Sequence, residues 1–105
     1  MSDVKVKIQE IIEQNRVVLF MKGTKNFPQC GFSDRATKIL QAAGAEFKDV
    51  NVLKDPEIRQ GIKDFSAWPT IPQVYVDGKF VGGSDILFAM YESGELTKLL
   101  STPAA

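Results

Sequence analysis

The chain has 105 residues, 44% hydrophobic and 25% charged, which fits one compact domain over residues 1–105 with a modest core. Thirteen basic residues offset thirteen acidic ones, so no overall field favours nucleic acid or an anionic membrane. One cysteine excludes an internal disulfide, and the lack of histidine removes His-containing metal triads and the Cys-His and Ser-His pairs used by most hydrolases. The opening MSDVKVKIQE is polar, without an apolar signal core, and no apolar run approaches the roughly 18 residues of a membrane span. The expected setting is a reducing cytoplasm, or an organelle matrix or stroma if the sequence is a processed form.

Ser2 and Asp3 are good helix-starting side chains, and Val4, Ile8, Ile11 and Ile12 recur at helical spacing, predicting a helix over roughly residues 3 to 15. Val17-Val18-Leu19-Phe20-Met21 reads as a short strand buried on both faces and therefore central in a sheet. After a polar loop, Phe32, Ala36, Ile39, Leu40 and Ala43 trace the inner face of a second helix that Gly44 can end. Phe47, Val50 and Val52 suggest another strand. Asp55-Pro56 then supplies a cap and first-turn proline for a helix with Ile58, Ile62 and Phe65 inward, stopped by Trp68-Pro69. Gln73–Val76 and Lys79–Val81 flank Asp77-Gly78, a two-residue hairpin turn. Gly82-Gly83 ends the sheet, and two short helices separated by Ser93-Gly94 close the chain. This order can form a four-stranded mixed sheet flanked by helices, an α/β fold in the thioredoxin arrangement.

Cys30 falls where a strand, a loop and a helix N-terminus meet. There, unpaired backbone amides and the helix dipole favour a thiolate, as nucleophile or metal ligand, and Lys22 can add a cation. A lone cysteine is more often a small buried hydrophobe. Here Pro28 and Gly31 set it in an open loop rather than in an apolar run. Ser33 stands where a Cys-x-x-Cys pair would have its second sulfur, so a resolving thiol must come from elsewhere.

Three further segments are candidate grips. Arg59 and Lys63, four apart on one helix, suit an anion, although a solvated charged face has the same spacing. Trp68-Pro69-Thr70-Ile71-Pro72 is either an ordinary turn or, with a cis X-Pro bond, an extended edge that pairs with a peptide backbone. Gly82-Gly83-Ser84-Asp85 opens a helix with bare amides for an anion, Ser84 or Asp85 as cap, and a carboxylate for an ammonium; a plain hairpin exit looks similar.

Lys22-Gly23-Thr24, PQCGFS at Pro28–Ser33, IRQGIK at Ile58–Lys63, WPTIPQVYVDG at Trp68–Gly78 and GGSD at Gly82–Asp85 together resemble the monothiol glutaredoxins with a Cys-Gly-Phe-Ser site, in their short single-domain class. The resemblance implies a glutathione groove. Cys30 lies at its sulfur, Thr70 and Ile71 beside cis-Pro72 pair with its backbone, and Lys22, Arg59 and Lys63 hold its glycyl carboxylate. Gly83, Ser84 and Asp85 hold its γ-glutamyl end. Many relatives have cysteine where this chain has Ser84, so a second thiol there is excluded. The resemblance also implies a 2Fe-2S cluster shared by a homodimer, with Cys30 as the chain's metal ligand, a monomeric apo form, BolA-like partners and delivery to apo iron-sulfur proteins. Glutathione-dependent monothiol oxidoreductase activity and partner-binding regulation are the alternatives.

Overall fold

The computed structural model describes residues 3–102; Ser2, expected to cap the first helix, lies outside them. The elements run α1 (Asp3–Gln14), β1 (Val17–Met21), α2 (Gly31–Ala42), β2 (Lys48–Asn51), α3 (Pro56–Ser66), β3 (Gln73–Val76), β4 (Lys79–Gly82), α4 (Ser84–Ser93) and α5 (Glu95–Ser101). The strands form one sheet in the order β2-β1-β3-β4. β1 pairs parallel with β2 and antiparallel with β3, and β3 continues antiparallel into β4. The expected four-stranded mixed sheet is therefore present, with β1 inside it.

All five β1 residues are buried because helices cover both faces of the sheet. Val18 and Phe20 join Ile8, Ile12, Ile58, Ile62 and Tyr75 in the core beneath α1 and α3. Val17, Leu19 and Met21 face the other way, onto Ala36, Leu40, Leu87 and Leu96 of α2, α4 and α5. This alternation follows the two-residue period of a strand.

Local chemistry fixes the ends of these elements. Asp55 caps α3 by accepting the Ile58 amide at 3.2 Å and also meets Lys7 of α1 at 2.8 Å, which holds its carboxyl below the ordinary carboxylate range. Asp55→Ala is expected to cost about 1 kcal/mol in urea unfolding, with Asp55→Asn recovering most of it, because the amide oxygen retains the cap. At the hairpin, Asp77 and Gly78 both have positive φ, 53° and 80°, as a type I′ turn requires. Val74 pairs with Gly82 while Tyr75 pairs with Phe80, leaving Val81 as the extra residue of a β-bulge near the end of β4. Arg16 ties the turn to the chain's end: its Nε donates to Asp77 at 3.0 Å, and its other nitrogens reach the Leu99, Leu100 and Thr102 carbonyls closing α5.

Three expectations change. Phe32 is 59% exposed rather than inward; Ser33 and Thr37, both polar, take buried positions on α2. They fit there because Ser33 accepts the Lys22 amide at 3.0 Å and the Thr37 hydroxyl lies 3.8 Å from Met21 sulfur. The cap of α4 is Gly83, without a side-chain bond from Ser84 or Asp85. Trp68-Pro69 does follow α3, but the stop itself is Ala67, in the left-handed conformation with φ 55°.

Candidate active site

Beyond Met21 the chain leaves β1 and folds into a compact loop. Thr24 and Phe27 exchange backbone hydrogen bonds at 3.2 and 3.0 Å, and the Gln29 amide returns to the Lys22 carbonyl at 2.9 Å. Gly23 bridges Pro28 across the loop and donates its amide to the Asn51 side chain at 3.0 Å. The loop delivers Cys30 to the N-cap of α2, with φ −151° and ψ 138° and without a side-chain capping bond. The thiol is free and half-buried.

Its pKa is lowered. The Ser33 backbone amide contributes most, opposed by partial burial; the Phe32 amide, the Lys22 charge and the Ser33 hydroxyl act in the same favourable direction. Ser33 thus has a role beyond the absent second sulfur: its wholly buried hydroxyl links the end of β1 to the thiol. Alkylation of Cys30 by iodoacetamide is expected to reach half its maximal rate below the pH of an unperturbed thiol, and Ser33→Ala should raise that midpoint. Because folding lowers this pKa, the thiolate's contribution to stability is complete above the unfolded thiol's pKa and is lost as pH falls through the folded value.

A cavity of about 270 Å³ lies at the first turn of α2, where Phe32 lines it and Cys30, two residues earlier, does not. Six of the expected grips line it, Thr70, Ile71, Pro72, Gly83, Ser84 and Asp85, together with Phe32, Trp68 and Ile86. The Ile71-Pro72 bond is cis, as the motif suggested. Behind the cavity the rings of Trp68, Phe80, Tyr75 and Phe20 follow one another at 5.6, 5.5 and 5.7 Å, joining its wall to the core. Two larger, more open hollows of about 730 and 750 Å³ lie around Arg16, at the other end of β1 from the thiol. They hold no candidate residue.

Lys22, Arg59 and Lys63 do not line the 270 Å³ cavity. Lys22 acts on Cys30 through its charge, whereas Arg59 is exposed and Lys63 half-buried on α3. Among the described residues none of the three forms an ion pair. One partner was invisible in the sequence: Arg35 of α2 meets Asp85 at 3.1 Å and lies over the Phe88 ring, 4.5 Å from its centre. Fifty positions separate that pair, and only the packing of α2 against α4 brings it together.

A thiol of lowered pKa at a helix N-terminus, with a cis-proline cavity at the same end of a four-stranded mixed sheet, defines a thiol protein of the thioredoxin fold. Residues 17–81 match the family described as Glutaredoxin. A Synechocystis protein named uncharacterized monothiol glutaredoxin ycf64-like is 52% identical over 98% of this chain and 96% of its own length. The mitochondrial monothiol glutaredoxin-5 of Saccharomyces cerevisiae is 50% identical over 99% of this chain and 71% of its own. Among solved structures, reduced apo GrxS14 from poplar superposes with a TM-score of 0.80 at 49% identity, covering 90% of this chain and 87% of that one. The chain belongs to the glutaredoxin family, among its monothiol members.

Proposed function

We propose that this chain binds glutathione in the groove beside Cys30 and that two such chains carry a 2Fe-2S cluster as cargo, for delivery to apo iron-sulfur proteins. The observation that carries the reading is one thiol of lowered pKa at the start of α2, two residues before Phe32, which lines a cavity together with Thr70–Pro72 and Gly83–Asp85. Such a cluster ordinarily takes four terminal ligands, commonly thiolates, and the chain has one cysteine. Among the described residues no group of three or more His, Cys, Asp or Glu side chains could hold a metal ion. Two Cys30 thiolates and two glutathione thiolates make up the set. Half of it then belongs to small ligands, which favours release to the cysteines of an acceptor.

Within the groove, Thr70 and Ile71 offer backbone groups to the tripeptide's central residue. Lys22, Arg59 and Lys63 attract its glycyl carboxylate, and the Ser84 and Asp85 amides with the Asp85 carboxylate receive its zwitterionic γ-glutamyl end. A BolA-like protein is a partner that replaces one chain and its glutathione. The cytoplasm is the expected compartment, since glutathione and reduced thiols are kept there; no helix is long and apolar enough to cross a membrane, among the described residues.

The test is anaerobic reconstitution with iron and sulfide, with and without glutathione, followed by visible absorption, iron and sulfide analysis and size measurement. A coloured dimer that forms only with glutathione is expected. A colourless monomer under both conditions overturns the reading. The lowered Cys30 pKa also favours a second one, in which the thiolate attacks the glutathione sulfur of a mixed disulfide and expels the substrate thiolate. A second glutathione thiolate then attacks the Cys30–glutathione disulfide, restoring Cys30 and releasing glutathione disulfide. Turnover of a small glutathionylated substrate, set against the rate of cluster transfer to an apo-ferredoxin, separates the two.

A further inference from the structure

We propose that Gln73 is the positioning residue of the groove, holding the Trp68–Pro72 segment from behind in the conformation that receives glutathione; this rests on the glutathione reading above. Gln73 begins β3 opposite Phe20 and is wholly buried. Its Nε2 donates to the Trp68 carbonyl and to the Thr70 carbonyl, both at 3.1 Å. Each amide hydrogen therefore takes one carbonyl on either side of Pro69, and the turn between them is clamped to the strand.

The orientation of the amide is set by this arrangement. A reversed side chain would aim its oxygen at two carbonyl oxygens, so Oε1 points away, and it has no partner among the described residues. A buried acceptor left unpaired is costly. The donors are therefore committed to the loop even though the acceptor goes unmet, an imbalance that no apolar residue at the start of β3 would bring.

Beyond the burial of Ile71 in the core and the contact of Trp68 with Phe80, the segment has little else to hold it. Pro69 and Pro72 lack amide hydrogens, and among the described residues no other hydrogen bond reaches residues 69–72. The Thr70 amide and the Ile71 amide and carbonyl are left for a ligand strand, in a wall that Gln73 keeps in place. Without the clamp, the incoming peptide must order the wall itself, and affinity falls by that amount. Cys30 stands on a different segment, the 22–29 loop and α2, so its own reactivity does not depend on the clamp.

Gln73→Met keeps the length and volume of the side chain and removes both donors. The rate of Cys30 with glutathione disulfide, which carries the full tripeptide, is compared with its rate with hydroxyethyl disulfide, which has no peptide ends, and with iodoacetamide. The variant is expected to react roughly tenfold more slowly with glutathione disulfide, equivalent to about 1.4 kcal/mol, while the other two rates stay within about twofold. A purely structural disturbance shifts all three together, and that result overturns the proposal. Undiminished preference for glutathione disulfide in the variant also overturns it, with the glutathione reading intact. If the unsubstituted chain itself shows no preference for glutathione disulfide, the glutathione reading fails and the role of Gln73 falls with it. A wild-type measurement guards against a variant that does not fold: both Gln73 side-chain amide protons should be protected from solvent exchange and show couplings across hydrogen bonds to the Trp68 and Thr70 carbonyls. Exchange of either proton at the rate of a free amide overturns the clamp.

Discussion

Cys30→Ser is expected to abolish cluster assembly and every reaction with glutathione disulfide while leaving the fold at least as stable as before. The two outcomes have separate causes. A serine hydroxyl is far less acidic than this thiol, whose pKa the α2 amides and Lys22 already lower, so the variant offers neither a thiolate ligand nor a nucleophile near neutral pH. For stability, the position is the N-cap of α2, its backbone is extended, and the cysteine closes no capping hydrogen bond. Serine is among the preferred N-cap residues, and its oxygen can accept from an amide of the first turn, a gain of up to about 1 kcal/mol. Thermal unfolding with iron and absorption analysis checks both halves. A cluster retained by the serine variant would remove Cys30 from the ligand set, and a marked loss of stability would mean that the thiol packs as a core group.

Gly23→Ala should have the largest effect on the loop that presents the thiol. Gly23 has φ 92°, and a β-carbon there would lie 2.5 Å from the Phe27 carbonyl oxygen and 2.6 Å from the Gln29 amide nitrogen. Both are backbone atoms inside the same hydrogen-bonded loop, so no side-chain rotation relieves the contact. The loop must open, at a cost of about 3 kcal/mol or more, and the Gln29 bond to Lys22 and the placement of Cys30 go with it. Gly78→Ala is the matched control. It shares a positive φ of 80° but has open space around the added carbon, so it should cost only the conformational term, about 1–2 kcal/mol. Denaturant unfolding gives the energies. The iodoacetamide rate against pH should be displaced upward for Gly23→Ala and unmoved for Gly78→Ala.

Elements governed by near neighbours were legible in the sequence. Asp77-Gly78 made a hairpin because two positive φ angles were needed in succession, and Asp55-Pro56 opened α3 because a cap and a missing amide hydrogen fit the first turn. The unbroken apolar run of β1 implied burial on both faces, and the two cores supply it. What escaped depends on distant packing. The apolar spacing on α2 turned Phe32 inward, yet Ser33 is preferred beneath β1 because it satisfies a backbone amide there. Arg35 lies in no motif, and only the packing of α4 against α2 brings Asp85 to it. Gln73, inside a strand pattern, carried no local sign that its side chain would reach back to two carbonyls. Residues that line the cavity and sit within motifs could be named from the sequence; the side chains that hold those motifs in place could not.

The loop from Lys22 to Gln29 has one more consequence. β2 is an outer strand of the sheet, and this loop runs along it: the Gly23 amide binds Asn51, the Lys25 amide binds Asp49 at 2.8 Å, and the Lys25 ammonium reaches the Phe47 carbonyl at 2.8 Å. The segment that delivers the thiol is thus also anchored on two side chains of an outer strand, and the two duties cannot be changed separately. A loop loosened to reach a bulkier partner would give up these bonds, so wider access to Cys30 from this side comes with the loss of its anchor on β2.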